Sequence, residues 1–538
     1  MFIVKYYLII AISLFVAAIM IAQPIISALL LWGSLSVTLV TIAYLFDIPS
    51  IFRKQQDGRI AIWIRWAFIP FLLGVKAYNA WSIKRDHVAP IQKIAPNLYL
   101  SRRLFKADLA FLKAQDINCV VDVTAEFMGV ESVSADKHLH YFCLPVLDHK
   151  APKENHLIHA LNWIDTQIKQ GRSVVIHCAL GRGRSVFTAA AYLLSQDPAL
   201  SVKQVLANIN NVRNTAKLNH SQLKALYKIN DEAGLTLAPT AWLIANPAAG
   251  GGKWAQHEQQ LIHSLTQKYR LNVHLTTQVK SARYFAQQAK KQGVTHLIVC
   301  GGDGTVSEVA EICANTDITL GIVPFGTANA LCHVLYGISV KVSPIAKACE
   351  AILSGNSKSI DVAYCNQKIA LLVIGIGFQE KMIHEADRER KNALGQFAYL
   401  TSFFNAVVDG ESQQFTMQVD DRPSEQHELQ SLVVANTSPF SSVLAQGGKH
   451  APQPDDGKLH ITYLNNTELL GSRILALSDL TLSSLGEREA SSYFDYQSGH
   501  RVVIESDQRI HYAIDGEPGN ADKLVINLVH NALNVCIP

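Results

Sequence analysis

The sequence lacks the marks of a secreted, zinc-binding or nucleic-acid-binding protein. Its nine cysteines form no Cys-x-x-Cys pair, and their odd number and scatter favour a reducing compartment over a disulfide framework or a zinc site. The formal net charge of +4 implies no strong field for nucleic acid. A chain of 538 residues is too long for one hydrophobic core, and we expect roughly three or four domains.

Two common nucleotide motifs are also missing. No Gly-x-x-x-x-Gly-Lys-Ser/Thr loop is present, which excludes a Walker-type site, and no Gly-x-Gly-x-x-Gly fingerprint is present, which disfavours a dinucleotide fold. A nucleotide site in this chain must therefore use other glycine loops.

The N-terminal run from Tyr6 to Phe46 has no charged residue. As a helix at ~1.5 Å per residue it would measure about 60 Å, which is about two crossings of a ~30 Å hydrocarbon layer. Gln23-Pro24 supplies a turn near its middle, so we predict two membrane helices, roughly 6–22 and 25–46. A signal peptide followed by one helix, or one long buried helix, are the alternatives.

Basic residues follow the second of these helices. Arg53, Lys54 and Arg59 place that end in the cytoplasm by the positive-inside tendency, and the compact anchor suggests a multi-pass protein of a bacterial inner membrane. A further apolar stretch, 60–75, is interrupted by a proline and flanked by tryptophans, so we predict an interfacial helix. A third membrane span is the alternative.

A strand–loop–helix motif follows at "SVVIHCALGRGRSVFTAAAYLLSQ". The β-branched run ends at Cys178 and the alanine-rich run after Ser185 is helical, so the loop 178–184 lies at a helix N-terminus, where backbone N–H groups attract an anion. Such a position, with arginines nearby, favours the thiolate of a cysteine. Arg184 has the geometry to grip two phosphate oxygens, and Asp148 lies in an upstream loop bounded by prolines, where it is placed to protonate a leaving alkoxide.

These residues resemble a dual-specificity, cysteine-based phosphatase over residues ~92–234. The resemblance implies that Cys178 forms a phosphocysteine, that Arg184 binds phosphate, that Asp148 acts as acid and then base, and that Ser185 assists the thiolate. The phosphate-binding loop then consists of Ala179, Leu180, Gly181, Arg182 and Gly183. A rhodanese-like or arsenate-reducing loop is an alternative that would not need Asp148.

Additional positive charge surrounds this loop. Arg182 lies within it and Lys150 follows the acid, which suits a phospholipid headgroup or a substrate with more than one phosphate. The loop is similar to those of lipid phosphatases, so we expect a phospholipid substrate. A phosphoprotein substrate remains open.

Strands and helices alternate after a linker near residue 238, which predicts an α/β layer with a parallel sheet. Three loops follow predicted strands: "NPAAGGGK" from Asn246, "GGDGT" from Gly301, and "FGTAN" from Phe325. Loops at the carboxyl ends of parallel strands hold phosphates, and their glycines let backbone N–H groups approach them.

These loops, with "APQPDDGKL" and "IDGEPG" downstream, resemble the diacylglycerol kinase catalytic family, which includes sphingosine and bacterial lipid kinases, over 241–538. The resemblance implies ATP and Mg²⁺ as cofactors and a β-rich lipid-binding domain. It assigns the following residues to the nucleotide: Asn246, Gly301, Gly302, Asp303, Gly304, Thr305, Gly326, Thr327 and Asn329.

Two acidic turns complete this assignment. Asp515 and Glu517 are candidates for the catalytic base, and Asp455 and Asp456 for metal binding. Both turns could instead be ordinary hairpin turns, and the sequence leaves open which carboxylate is the base. Asn329 is followed by alanine where many family members have aspartate, which weakens a specific assignment of diacylglycerol as substrate.

The sequence therefore predicts an α/β multidomain enzyme with N-terminal membrane helices. We expect a membrane anchor at 1–90, an α/β cysteine-phosphatase domain at 91–236, an α/β nucleotide-binding domain at 240–355 and a β-sandwich-like lipid domain at 356–538. Its expected partners are ATP and membrane lipids, not nucleic acid, and its oligomeric state is open. A phosphoprotein phosphatase fused to a lipid kinase or lipid sensor is the alternative function.

Overall fold

The computed structural model describes residues 2–129, 139–232, 235–337, 340, 342–376, 413–437, 452–465 and 494–538. The chain divides into two compact units. Unit 1 comprises Met1–Pro239 with Ile262–Asn272, and unit 2 comprises Thr240–Leu261 with Val273–Pro538.

The first two helices of unit 1 form a hairpin. Helix α1 spans Phe2–Met20 and α2 spans Pro24–Phe46, with Pro24 in the first turn of α2, so both predicted apolar helices are present within a few residues of their expected bounds. The Ser27 and Ser34 hydroxyls donate to the carbonyls of Ala18 and Ala11, which joins the two helices. Among the described residues, α1 and α2 alone are long and apolar enough to cross a membrane, by length and composition.

The next apolar stretch forms two shorter helices packed on this hairpin. A 3-10 helix at Pro49–Phe52 leads to α3, Ile62–Ala67, and α4, Ile69–Arg85, which meet at Phe68 with a proline in the first turn of α4. Phe68 and Phe71 are buried against α2, whereas Trp63, Trp66 and Trp81 are more than half exposed. This amphipathic division suits the predicted interfacial helix, which stays a prediction.

The remainder of unit 1 is an α/β layer. Its strands are β1 (Ile91–Ala95), β2 (Leu98–Ser101), β3 (Ile117–Asp122), β4 (His140–Cys143) and β5 (Ser173–His177), in the order β1-β2-β5-β3-β4. Strands β2, β5, β3 and β4 are parallel, and β5 is central. Its helices are α5 (Leu109–Ala114), α6 (Glu154–Lys169), α7 (Arg184–Gln196), α8 (Val202–Val212) and α9 (His220–Glu232).

The following elements begin the second half of the chain: β6 (Thr240–Ala245), α10 (Lys253–Leu265), β7 (Arg270–Leu275), α11 (Ala282–Lys291), β8 (His296–Gly301), α12 (Asp303–Cys313), β9 (Thr319–Pro324), α13 (Ala330–Tyr336) and α14 (Pro344–Ser354). Strands β6, β8 and β9 are parallel neighbours with β8 in the middle. The predicted alternation of strands and helices is therefore correct here, and the loops after these strands share one edge of the sheet.

The rest of unit 2 is rich in strands: β10 (Ser357–Cys365), β11 (Lys368–Ala370), β12 (Val373–Ile376), β13 (Gln413–Val419), β14 (Glu425–Ala435), β15 (Leu459–Asn465), β16 (Phe494–Gly499), β17 (Arg501–Ile514) and β18 (Glu517–Cys536). Strand β18 is antiparallel to β17 and β10, and its last residues pair in parallel with β9. The strand-rich part therefore continues the sheet of the α/β part, and the expected sandwich-like arrangement stays a prediction.

Candidate active sites

The cysteine predicted to be a nucleophile lies at the carboxyl end of the central strand of unit 1. Cys178 follows β5 directly, and α7 begins at Arg184, so the loop between them lies at a helix N-terminus. The Gly181 N–H donates to Cys178 Sγ at 3.3 Å, and Ser185 Oγ lies 3.3 Å from the same sulfur. The thiolate form would therefore have two donors, as a leaving thiolate requires.

Arg213, which the sequence analysis did not single out, fixes this loop from behind. Its Nε donates to the Gly181 carbonyl at 2.8 Å, and its Nη2 contacts the Leu180 carbonyl at 3.4 Å. Gly181 has a φ of +69°, and a Cβ there would lie 2.7 Å from Arg213 Nη2 and 2.7 Å from the Ser101 carbonyl oxygen. Only glycine fits this close approach. Further support comes from the Arg103 and Lys217 N–H groups, which donate to the Ala179 and Arg182 carbonyls.

Arg184 is oriented by a carboxylate that sequence reasoning missed. Glu126 accepts from Arg184 Nη1 at 2.9 Å and Nη2 at 2.8 Å, and both side chains are buried. Glu126 lies in the loop after β3, the neighbour of β5, so the carboxyl ends of two parallel strands bring the pair together. An acidic residue in the loop after a neighbouring strand is the signal that could have identified it.

The candidate acid lies within reach of the same arginine. Asp148 Oδ1 is 3.3 Å from Arg184 Nε, and its side chain is about half exposed (47%). Its partial burial acts to raise its pKa, but Arg184 and then His149 outweigh this, so the pKa of Asp148 lies below its ordinary value. Arg184 therefore brings Asp148 beside the loop that begins at Cys178, and the catalytic roles of these residues stay a prediction.

The loop that carries Asp148 is held on two sides. His149, with a φ of +61°, and Lys150 present their carbonyls to Asn219 Nδ2 at 2.9 Å and Gln222 Nε2 at 3.0 Å, at the start of α9. On the other side, the Asp148 N–H donates to the hydroxyl oxygen of Tyr44 at 3.1 Å. Tyr44 belongs to α2, so one of the apolar helices contacts the candidate acid loop.

Two ion pairs also connect the N-terminal segment to this site. Lys54 donates to Asp122 Oδ2 at 2.7 Å, and both side chains are fully buried. Burial acts to raise the pKa of Asp122, but Lys54 and then His177 outweigh it, so that pKa lies below the ordinary range. Lys54 is therefore not the solvent-facing flank charge assumed for orientation. Arg182 is likewise paired, with Asp86 at 2.9 Å, so its charge is partly neutralised.

The glycine loops of unit 2 converge as predicted. The Phe325 and Gly326 N–H groups donate to the Gly301 carbonyl, and a Cβ on Gly326 would lie 2.6 Å from Gly302 Cα. The loops after β8 and β9 therefore touch backbone to backbone. Asn246, after β6, is bonded to this pair of loops through its Nδ2, 3.3 Å from Thr305 Oγ1.

Asp303 holds the third loop through its carboxylate. Its two carboxylate oxygens accept from the Asn329 and Ala330 N–H groups at 3.0 and 2.9 Å, which satisfies donors at the start of α13. Asn329 has a φ of +48°, and its Nδ2 donates to the Gly326 carbonyl at 2.6 Å. Alanine at position 330 therefore contributes through its backbone, and this contact does not require a side chain there.

A cavity of about 710 Å³ opens beside these loops. Gly302, Asp303, Gly304, Gly326 and Thr327 line it, as do residues that sequence reasoning missed. These are Ser281, Arg283, Ser307, Glu308, Glu311, Ala328, Lys368, Ile369, Tyr512, Ile514 and Pro518. The volume falls in the range of small-molecule and cofactor sites. Arg283 is bound by Glu311, so Lys368 is the cation of the described lining without an acidic partner.

The two candidate bases differ in their surroundings. Asp515, at a φ of +48°, accepts from the Leu371, Leu372 and Val373 N–H groups at 2.7 to 2.9 Å. Burial nevertheless raises the pKa of Asp515 to about 6. Glu517 lies at the cavity wall, where a Cβ on Gly304 would be 3.2 Å from its Oε1, and no described residue makes a hydrogen bond or ion pair with its carboxylate. Both residues line the cavity, and Asp515 in addition holds the backbone of the neighbouring strand, whereas Glu517 has no such contact among the described residues.

The other acidic turn is engaged in contacts of its own. Asp456 accepts from the Gln453 and Lys458 N–H groups and lies 2.8 Å from His460 Nε2, while Asp455 pairs with Lys358. Neither lines the cavity, and no three His, Cys, Asp or Glu side chains of the described ranges meet as a metal-binding group. The metal assignment of Asp455 and Asp456 stays a prediction. The donor set at the cavity fits Mg²⁺ better, because this ion needs only one or two carboxylates when nucleotide phosphates supply further oxygens.

Comparison with known families finds two matches. Residues 98–232 match the dual specificity phosphatase catalytic domain, and residues 240–365 match the diacylglycerol kinase catalytic domain. The first range contains Cys178, Arg184 and Asp148, and the second contains the three glycine loops.

Three bacterial proteins are similar to parts of this chain. The uncharacterized protein sll0036 of Synechocystis is 30% identical over 362 residues, which cover 64% of this chain and 80% of that protein. The diacylglycerol kinase of Bacillus subtilis is 25% identical over 286 residues, covering 52% of this chain and 90% of the kinase. The protein named "Probable lipid kinase YegS" of Shigella boydii is 28% identical over 281 residues, covering 50% and 86%.

Proposed function

We propose that this chain, which belongs to the family of sll0036 and joins a dual-specificity phosphatase catalytic domain to a diacylglycerol kinase catalytic domain, acts on membrane lipids with both sites. The kinase site transfers phosphate from ATP to a lipid hydroxyl. The phosphatase site hydrolyses a phospholipid monoester through a phosphocysteine.

The phosphatase reaction uses the residues around Cys178. The thiolate attacks phosphorus, the bond to the leaving oxygen breaks, and Asp148 donates a proton to the alkoxide. Arg184, held in a fixed orientation by Glu126, binds two phosphate oxygens. Water then attacks the phosphocysteine, Asp148 takes the proton of that water, and Ser185 stabilises the departing thiolate at 3.3 Å.

The kinase reaction uses the cavity of unit 2. The backbone of the glycine loops after β8 and β9 binds the nucleotide phosphates, and Lys368 offers them a positive charge. Glu517 takes the proton of the lipid hydroxyl as the oxygen attacks the γ-phosphorus, and ADP leaves. Mg²⁺, when bound, would neutralise charge at the phosphates, and the cavity lining offers carboxylates to hold it, Asp303 among them.

The contact between Tyr44 and Asp148 is the observation that favours a lipid substrate over a protein substrate for the phosphatase site. Tyr44 lies within one turn of the carboxyl end of α2, the second apolar helix. If α1 and α2 span the bilayer, the phosphatase site lies at its surface, where a lipid headgroup is available at high effective concentration. We expect the ATP-dependent site to lie on the cytoplasmic side of a bacterial inner membrane, where ATP is available.

Purified protein in mixed-lipid vesicles, with labelled ATP and Mg²⁺, tests both activities. We expect a labelled lipid with the parent protein and none with Glu517→Gln, which keeps the size of the side chain but removes its charge. We expect Cys178→Ser to abolish phosphate release from phospholipid vesicles while lipid labelling continues. Labelled lipid that accumulates only in Cys178→Ser means that both sites act on one lipid, whereas equal accumulation in both proteins means separate substrates.

Two results would contradict the proposal. Lack of lipid labelling by both the folded parent protein and folded Cys178→Ser would remove the kinase assignment. Cys178-dependent hydrolysis of a phosphotyrosine peptide without hydrolysis of any phospholipid vesicle would replace the lipid phosphatase by a phosphoprotein phosphatase.

A further inference from the structure

The second apolar helix supplies a side chain to the loop that carries the candidate acid. The Tyr44 hydroxyl oxygen accepts the Asp148 N–H at 3.1 Å, and the Tyr44 side chain is buried at 5% exposure. Its ring meets the edge of the Tyr7 ring, with centroids 5.5 Å apart. The hydroxyl is therefore held where the acid loop needs an acceptor.

This contact belongs to a packed interface, here called the joint, between the N-terminal helical segment and the loops of the phosphatase sheet that carry Ala125 and Leu147. One buried apolar cluster contains Val40, Ala43, Tyr44 and Phe52 from the helical segment and Ala125 and Leu147 from the catalytic loops. Leu147 directly precedes Asp148, and Ala125 directly precedes Glu126. The buried Lys54–Asp122 ion pair closes the same joint. Tyr44 is thus fixed relative to the phosphate-binding loop from several sides.

A general acid must lie within hydrogen-bond reach of the leaving oxygen, so the position of its loop controls its efficiency. Asn219 and Gln222 hold the carbonyls that follow Asp148, whereas Tyr44 holds the N–H of Asp148 itself. We propose that Tyr44 is a positioning residue of the phosphatase, which sets the Asp148 backbone for proton donation and makes the apolar helices part of the catalytic unit. This inference rests on the proposed phosphatase activity.

The experiment compares two soluble substrates in detergent-purified full-length protein. Phenyl phosphate releases a basic phenolate that needs a proton, whereas 2,4-dinitrophenyl phosphate releases a weakly basic phenolate that leaves without one. Tyr44→Phe keeps the buried ring and removes only the hydroxyl acceptor. Tyr78→Phe is the matched control, because Tyr78 is exposed on α4, where its ring contacts Trp81, away from the acid loop.

We expect Tyr44→Phe to lower kcat/KM for phenyl phosphate about tenfold, a fraction of the ~10²–10⁴-fold that a general acid supplies. This ratio reports the steps up to phosphocysteine formation, so it excludes the later step in which Asp148 acts as base. We expect less than about a twofold change for 2,4-dinitrophenyl phosphate, and no change for either substrate in Tyr78→Phe. Added to Asp148→Asn, the Tyr44 change should have almost no further effect, because both changes remove the same step.

The outcomes separate this inference from the function it rests on. Equal losses on both substrates would indicate a structural role for Tyr44 and overturn the positioning role. Unchanged turnover of phenyl phosphate in Tyr44→Phe would also overturn it. Losses that multiply in the double variant would overturn it as well. If Cys178→Ser hydrolyses both substrates as fast as the parent protein, the phosphatase assignment fails and the inference fails with it.

Discussion

Replacement of Lys54 by methionine removes the positive charge from a fully buried ion pair. Lys54 Nζ donates to Asp122 Oδ2, to the Thr124 carbonyl and to Thr124 Oγ1 at 2.7 to 3.1 Å, and both charged side chains have no exposed surface. Removal of one partner leaves a buried carboxylate uncompensated, which typically costs about 3–5 kcal/mol. For a unit of this size, that loss lowers Tm by about 10 °C.

The pH dependence gives a second signature. In the parent protein the pKa of Asp122 lies below its ordinary value, so its stabilisation is present above the ordinary aspartate range and is lost only in stronger acid. In Lys54→Met, burial without the lysine raises that pKa above the ordinary value. The folded carboxyl then takes up a proton as the pH falls, so the Tm difference between variant and parent protein should shrink from pH 8 to pH 5.

Tryptophan fluorescence during heating in detergent measures both effects. Lys153→Met, at an exposed lysine, serves as the control and should leave Tm within about 2 °C. The double variant Lys54→Met with Asp122→Asn removes the stranded charge and should be more stable than Lys54→Met alone. A Tm for Lys54→Met that matches the parent protein, or a double variant less stable than the single one, would refute the reasoning.

Two other predictions concern the chemistry. Gly326→Ala places a Cβ 2.6 Å from Gly302 Cα and should abolish lipid labelling. Phosphatase turnover of 2,4-dinitrophenyl phosphate is the internal control and should be retained. Retained kinase activity would contradict the tight contact of the two loops. The pKa of Asp148 is below its ordinary value, so the protonated acid is lost as pH rises and kcat/KM for phenyl phosphate should decline from acidic pH upward. Asp148→Asn should lack that decline, and a decline of the same shape in this variant would assign it to another group.

The motifs that could be predicted best from the sequence are those made of contiguous residues. The loop from Cys178 to Ser185 and the loop from Gly301 to Thr305 each follow a β-branched strand and open a helix, and the structure has those elements at those places. Local periodicity and loop composition suffice for such motifs, because each is made by one strand–helix connection.

Contacts between residues that are distant in the sequence could not be predicted from local patterns. Glu126 is far in sequence from Arg184, and only the neighbouring positions of β3 and β5 bring them together. The sequence analysis treats Lys54 as a charge that flanks a membrane helix. The residues around it in the sequence do not reveal whether its side chain faces solvent or pairs with Asp122. The different surroundings of Asp515 and Glu517 arise at the turn between β17 and β18, where both residues line the cavity but Asp515 also accepts from backbone donors.

The joint between the apolar helices and the phosphatase sheet bears on how this enzyme can be handled. A soluble fragment starting near residue 91, where composition alone would place the domain boundary, would lack Tyr44, Lys54 and Asp86. It would fold with the buried Asp122 carboxylate lacking its lysine partner and with the acid loop held on one side. Inactivity of such a fragment would therefore report the loss of these contacts with the N-terminal helices, not the absence of a phosphatase site.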